Sequence, residues 1–208
     1  MATGKAKATA ANILETALDL FRSQGFDQTT MREIASQAGV ATGAAYYYYP
    51  SKDAIVMAFY QRTFDEMQPK IAKALAANGG LEARMRALLR VKMEYFGGPN
   101  RAALHGILKH AADPGHPVSP FSKETRTFRK MEIGWFRRIV EDEGVQVPGD
   151  LVARIPEVLW LLHMGVMLFW VADESPRQIN TKRLLDQGMN TVTALLRLAP
   201  PAALVEAS

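Results

Sequence analysis

Between Thr29 and Lys52 the chain runs TTMREIASQAGVATGAAYYYYPSK, and its unusual feature is the four consecutive tyrosines Tyr46 to Tyr49. Successive residues on a helix point about 100° apart, so four in a row cannot all turn inward. At least two phenol groups must face solvent or a partner. Phenol hydroxyls on a helix near a lysine, here Lys52, suit hydrogen bonds to the phosphate oxygens of a nucleic acid. Thr42, Gly43 and Tyr46 share one helical face, because they lie three and four residues apart. Ala45 and Tyr49 share another, which can pack inward.

Two short helices around a tight turn would hold these groups. Thr30 is a good N-cap, and Glu33 three residues on completes a T-x-x-E capping box. Met31, Ile34, Ala35 and Ala38 give the first helix one narrow apolar face. Gly39 is placed for the left-handed turn that ends it. The second helix must start near Ala41 or Thr42, and Pro50 forbids its continuation. So short a helix has no stability of its own and must be held by its neighbours. The arrangement is a helix-turn-helix, with Thr42 to Tyr48 as the helix that would enter a major groove.

A long helix, then G-F-x-x-T-T-M-x-x-I-A-x-x-A-G-V, then G-x-x-Y-Y-Y-Y-P-S-K, resembles the DNA-binding domain of the TetR/AcrR family of transcriptional repressors, from about Ala11 to Tyr60. The resemblance implies base-edge contacts from Thr42, Gly43 and Tyr46. It implies phosphate contacts from Thr30, the Ala44 backbone, Tyr47, Tyr48 and Lys52. Two positions depart from the family pattern. Ala41 replaces the usual Ser N-cap, which shifts capping towards Thr42, and Ala45 replaces the usual Leu, leaving volume for the extra tyrosines to refill.

The whole chain has 208 residues, enough for one large or two small globular domains. It has no cysteine, so disulfide frameworks and thiolate zinc sites are excluded and a reducing, cytoplasmic setting is expected. The first residues, MATGKAKATAA, lack the apolar segment of a secretory signal and read as a flexible Ala/Lys arm. Net charge is +4, yet residues 1–60 hold five basic and five acidic groups, so a bulk basic patch does not carry the DNA reading. The placing of individual groups does.

Ile13, Ala17, Leu20 and Phe21 form a helical stripe ended by Gly25, and a long helix follows from Ser51 to about Ala77. Further helical segments are expected near 81–96, 100–112, 120–143, 151–172 and 180–198, with Ser119 capping a helix whose first residue is Pro120. No alternating β-branched run is present, so the expected class is all-α with about nine helices. Residues 1–55 would form the helix-turn-helix domain with its arm, and 56–208 a helical effector-binding and dimerisation domain. Val158 to Val171 is apolar all round except His163, but the run is too short for a membrane span and carries Arg154, Pro156 and Glu157 at its start, so no membrane partner is expected. The last helix carries Leu185, Met189, Val192 and Leu196 on one stripe. The resemblance implies a homodimer built from the helices near 151–172 and 180–198.

A regulator of this kind needs a ligand, and the apolar residues that could line a pocket are Met93, Phe96, Phe128, Met131, Trp135, Trp160, Met164 and Met167, with His105 and His163 as its polar groups. His110 and His116 bracket Asp113, but in a Pro/Gly loop without helical metal-ligand spacing, and no metal or other cofactor is expected. No phosphate loop or nucleophile elbow is present, so an enzyme is not expected. The favoured reading is a dimeric repressor on palindromic operator double-stranded DNA, released by a small apolar or aromatic effector. The rivals are a DNA binder without a small-molecule site, and a helical small-molecule-binding protein or enzyme that retains a vestigial DNA-binding module.

Overall fold

The computed structural model describes residues 4–76, 79–110, 113–145 and 153–198. Nine α-helices occur among them: α1 (Gly4–Ser23), α2 (Met31–Gln37), α3 (Thr42–Tyr48), α4 (Lys52–Ala76), α5 (Gly80–Phe96), α6 (Pro99–Leu108), α7 (Arg126–Asp142), α8 (Ile155–Ala172) and α9 (Ile179–Leu198). No strand is present among the described residues, and the all-α expectation holds.

Two boundaries differ from expectation. Residues 4–10 are not an irregular arm but the first turns of α1, in keeping with the high helix propensity of their alanines and lysines. Met1 to Thr3 lie outside the described residues, as do 111–112 at the end of the expected 100–112 helix and 151–152 at the start of the expected 151–172 helix. The helix expected from Pro120 begins instead at Arg126. Hydroxyl groups occupy the backbone before it: Ser122 Oγ donates to the Pro117 carbonyl (2.9 Å) and Thr125 Oγ1 to the Ser119 carbonyl (2.7 Å), while the Thr125 N–H donates to Ser122 Oγ (3.2 Å). Short hydroxyl side chains compete with helical hydrogen bonding in this way. A cap motif in the sequence thus became a turn pinned by the buried Ser119, Ser122 and Thr125.

The chain divides into two compact units, Met1–Glu66 with Phe96–Phe128, and Met67–Tyr95 with Arg129–Ser208. In the first, α1 packs on α2 and α6, and α2 packs on α3. Its core holds Ile13, Leu18, Phe21, Phe26, Ile34, Ala45, Ile55 and Phe59, all buried. In the second, Met85, Leu88 and Leu89 of α5, Phe136 and Ile139 of α7, and Leu159, Met164 and Met167 of α8 are buried. Helix α4, 25 residues long, gives its first part to one unit and its end to the other. Pro69 lies inside α4 at an exposed position, where it has no N–H to donate to the Asp65 carbonyl one turn back.

Candidate nucleic-acid interface

The turn between α2 and α3 is built from local chemistry. Thr30 has extended backbone angles, its hydroxyl accepts from the Glu33 N–H (3.2 Å), and Glu33 Oε2 accepts from the Thr30 N–H (2.7 Å). Both halves of the expected capping box are therefore made. The same backbone bond, with the Thr30 hydroxyl, holds the Glu33 carboxyl below its ordinary range. At the other end Gly39 has φ +68°, the left-handed region that favours glycine. The Val40 N–H donates to the Ala35 carbonyl (3.0 Å) and the Gly39 N–H to the Ser36 carbonyl (3.2 Å), the paired bonds of a Schellman motif. Asn12 of α1 donates to the Ala38 carbonyl (2.8 Å), tying the end of α2 to α1.

Helix α3 follows with Ala41 at its N-cap and no side-chain capping bond. Thr42 does not take over the cap: it stands at the first helical position, exposed. Its hydroxyl is left for a partner. Gly43 is exposed, and a Cβ built there would meet nothing within 4 Å. Ala45 is fully buried and anchors the helix. Tyr46 is 49% exposed and Tyr47 83% exposed, while Ala44 and Tyr48 are half-buried. The rings of Tyr47 and Tyr48 meet edge to face, centroids 5.2 Å apart. Tyr49 is half-buried, its hydroxyl donating to the Ala10 carbonyl (3.2 Å). Burial pushes its phenol up. Of the four tyrosines, two thus face outward and two are half-buried.

Lys52 is held differently from a free phosphate ligand. Its ammonium donates to the carbonyls of Phe26 (2.6 Å) and Asp27 (3.2 Å) and lies 4.6 Å from the centroid of the Phe26 ring. Burial lowers its pKa, against the pull of Asp27 and other nearby carboxylates. Two of its three N–H groups therefore close the α1–α2 loop. Asp27 in that loop pairs with Lys109 and with His110 Nε2 (3.0 Å), and the hydrogen bond from Lys109 chiefly holds its carboxyl low. The rings of His110 and His116 stack at 4.1 Å, edge-on to Phe26. His110 thus faces Asp27, while Asp113 Oδ1 accepts from the Gly115 N–H (2.8 Å). Among the described residues no group of three or more His, Cys, Asp or Glu is arranged for a metal.

The expected pocket residues are divided between the two units. Phe96, His105 and Phe128 belong to the first unit, and the other seven to the second. His105 is exposed on α6, whose inward positions are Leu104 and Ile107. Phe96 is buried edge-on to Phe59, centroids 6.2 Å apart, and Phe128 lies against Tyr60 and Phe64. In the second unit Trp135, Trp160, His163, Met164 and Met167 are buried, and Met93 and Met131 are half-buried.

A charged pair that sequence reasoning missed lies with them. Lys92 of α5 pairs with Glu132 Oε1 of α7, their side chains 5% and 16% exposed, and Trp160 Nε1 donates to Glu132 Oε2 (2.9 Å). Burial pushes Glu132 up, but the Lys92 charge and the two hydrogen bonds outweigh it, and the carboxyl is held below its ordinary range. The signal was available: Lys92 occupies the helical stripe Met85, Leu88, Leu89, Phe96, where every other member is apolar.

Comparison with known proteins supplies the family. The family model described as bacterial regulatory proteins, tetR family, matches residues 13–59, and that described as tetracyclin repressor-like, C-terminal domain, matches residues 84–208. The chain is 33% identical over 175 residues to the HTH-type transcriptional repressor KstR of Mycolicibacterium smegmatis, covering 83% of this chain and 81% of that protein. It is 34% identical over 82 residues to the HTH-type transcriptional regulator RutR of Escherichia coli, over 39% of this chain and 38% of that protein. The chain spans less than half the length of several relatives, 19% for a regulator of Bacillus subtilis and 44% for one of Xanthobacter autotrophicus. The fold is similar to that of a TetR-family regulator from Syntrophomonas wolfei (20% identity, TM-score 0.69, 97% of this chain and 99% of that one). It is also similar to NalD, the secondary repressor of a multidrug efflux pump in Pseudomonas aeruginosa (18% identity, TM-score 0.62, 90% and 96% covered). With both halves matched, and KstR aligned along most of its length, the chain belongs to the TetR family of bacterial regulatory proteins.

Proposed function

We propose that this chain is a DNA-binding transcriptional repressor that works in the cytoplasm as a homodimer and leaves its operator when a small, largely apolar effector binds. The outward face of α3 carries this reading: Thr42, Gly43, Tyr46 and Tyr47 are exposed around a buried Ala45. Thr42, Gly43 and Tyr46 would meet base edges. Thr30, Tyr47, Tyr48 and the Ala44 backbone would meet phosphates, with Lys52 bracing the loop beside them. Residues 1–55 are the DNA-binding part in this reading, and 56–208 the effector-binding and dimerisation part.

Support for the dimer is the apolar surface left on the second unit. Val158, Leu161, Leu162, Leu168 and Phe169 of α8 are exposed, as is Leu184 of α9. Exposed apolar residues repeating at helical spacing along α8 suit an interaction face. Helix α8 also has the length and hydropathy of a candidate membrane span, with half of that window buried. Its buried face of Leu159, Trp160, Met164 and Met167 supports a protein-packed helix instead. A second copy would cover the rest and set two α3 helices on successive major grooves, about 34–36 Å apart. An effector among α5, α7 and α8 would favour a different spacing. A hundredfold fall in operator affinity needs about 2.7 kcal/mol of coupling, within the usual range.

Selection from a random duplex library with the purified protein, at stated salt, tests the proposal. The expected outcome is a palindrome with half-sites one helical turn apart, lost in Tyr46→Ala and Thr42→Ala variants that keep the parent's melting temperature. Retention of the same sequence and affinity by both variants would remove α3 as the reading helix.

A further inference from the structure

His163 sits on the buried face of α8, 2% exposed, with its ring 5.4 Å from that of Phe136. Neither Nδ1 nor Nε2 has a hydrogen-bond partner, although both atoms are buried. The charged groups that act on it are Lys92 from α5 and Glu132 from α7. The Trp160 carbonyl, one turn back on α8, exerts a weak pull without meeting hydrogen-bond geometry. Burial, with the Lys92 charge second, pushes the imidazole down to about 3, so it is neutral at any physiological pH. A neutral imidazole presents one donor and one acceptor, and leaving either buried and unpaired costs on the order of 1–3 kcal/mol.

The surroundings say what could pair with it. Glu132 has both oxygens engaged, Oε1 by Lys92 and Oε2 by Trp160. Lys92 and Glu132 cancel in charge, so the interior beside His163 holds one unpaired donor, one unpaired acceptor and no net charge. A ligand carboxylate would lose its hydration next to Glu132, and an ammonium next to Lys92, each with a like charge already in place. A hydroxyl group can pair with either ring nitrogen, donating to the acceptor or accepting from the donor, and it brings no charge. Met164, one residue on, and Met167, one turn on, are buried and adaptable in shape, suited to an alkyl or ring body.

Resting on the effector reading above, we infer that His163 is the polar anchor of the effector site and selects an uncharged alcohol or phenol on an apolar body over the carboxylate or amine of the same size. Such recognition rejects a ligand lacking the hydroxyl, because the site's polar atoms then stay unpaired.

The test uses octan-1-ol, octanoate and octylammonium with the full-length protein, read by the fluorescence of its three tryptophans, Trp135, Trp160 and Trp170, all in this unit's core. The expected result is an alcohol affinity at least about tenfold above both charged analogues, a difference of about 1.4 kcal/mol. His163→Phe should bring the three within about threefold of one another. Because that variant also changes core shape, the parent is followed by imidazole 15N resonances: octan-1-ol should shift one histidine of the four. Tightest binding by octanoate or octylammonium, an unchanged alcohol affinity in His163→Phe, no shifted histidine, or no binding of any probe would each overturn the inference. Specific DNA binding by the parent is measured beside it. Its loss would sink the regulator reading, whereas its presence with any of those four results sinks only the anchor.

Discussion

His163→Phe also separates the buried neutral imidazole from ordinary core packing, through the pH dependence of stability. The ring's ordinary value is 6.5 and the folded protein pushes it down to about 3. Between those values the unfolded chain takes up a proton that the folded chain refuses. Stability is therefore complete above about 6.5 and falls as the pH drops through that window. From pH 7 to pH 5 the unfolded state gains about 1.4 pK units' worth of protonation, or about 2 kcal/mol, and the folded state gains almost none. Urea denaturation followed by helical circular dichroism at both pH values measures it. The parent should lose about 2 kcal/mol more than the variant over that interval, all other histidines being common to both. At pH 7 the variant should lie close to the parent, since it loses two unpartnered buried nitrogens and gains ring area. An equal loss in both proteins would mean that His163 titrates in the folded state as it does in the unfolded, and the picture of a sealed, neutral ring would be wrong.

Lys52→Met separates a brace from a phosphate ligand. Loss of two bonds from a charged donor and of the ring contact should cost about 2 kcal/mol, while the slope of log K against log salt stays within about 0.3 of the parent's. A slope smaller by about 0.9, with no change in melting temperature, would instead identify a direct phosphate contact. Gly43→Ala should leave stability equal or raise it by up to about 1 kcal/mol, because a Cβ there meets open space, yet weaken operator binding if the duplex comes close to that backbone. Unchanged DNA affinity would exclude a close approach at Gly43. Glu132→Gln leaves the Lys92 ammonium buried without its counter-charge and should cost about 3–5 kcal/mol at neutral pH; a loss below about 1 kcal/mol would show that water already reaches the pair.

The sequence by itself determined what depends on neighbours within a turn or two. The Thr30–Glu33 box, the left-handed Gly39 and the impossibility of burying four successive tyrosines follow from local geometry, and each is present as expected. The all-α class followed from the spacing of apolar residues for the same reason. Tertiary structure decided the rest, because it depends on residues far apart along the chain meeting in space. It drew Lys52 onto the Phe26 and Asp27 carbonyls, pinned Ser119 to Thr125 in a turn by their hydroxyls, and left His105 exposed while sealing His163. A helical period says that a residue lies on a face. Only the packing of α5, α7 and α8 could make Lys92 and Glu132 partners across 40 positions of sequence and leave a nearby imidazole without one.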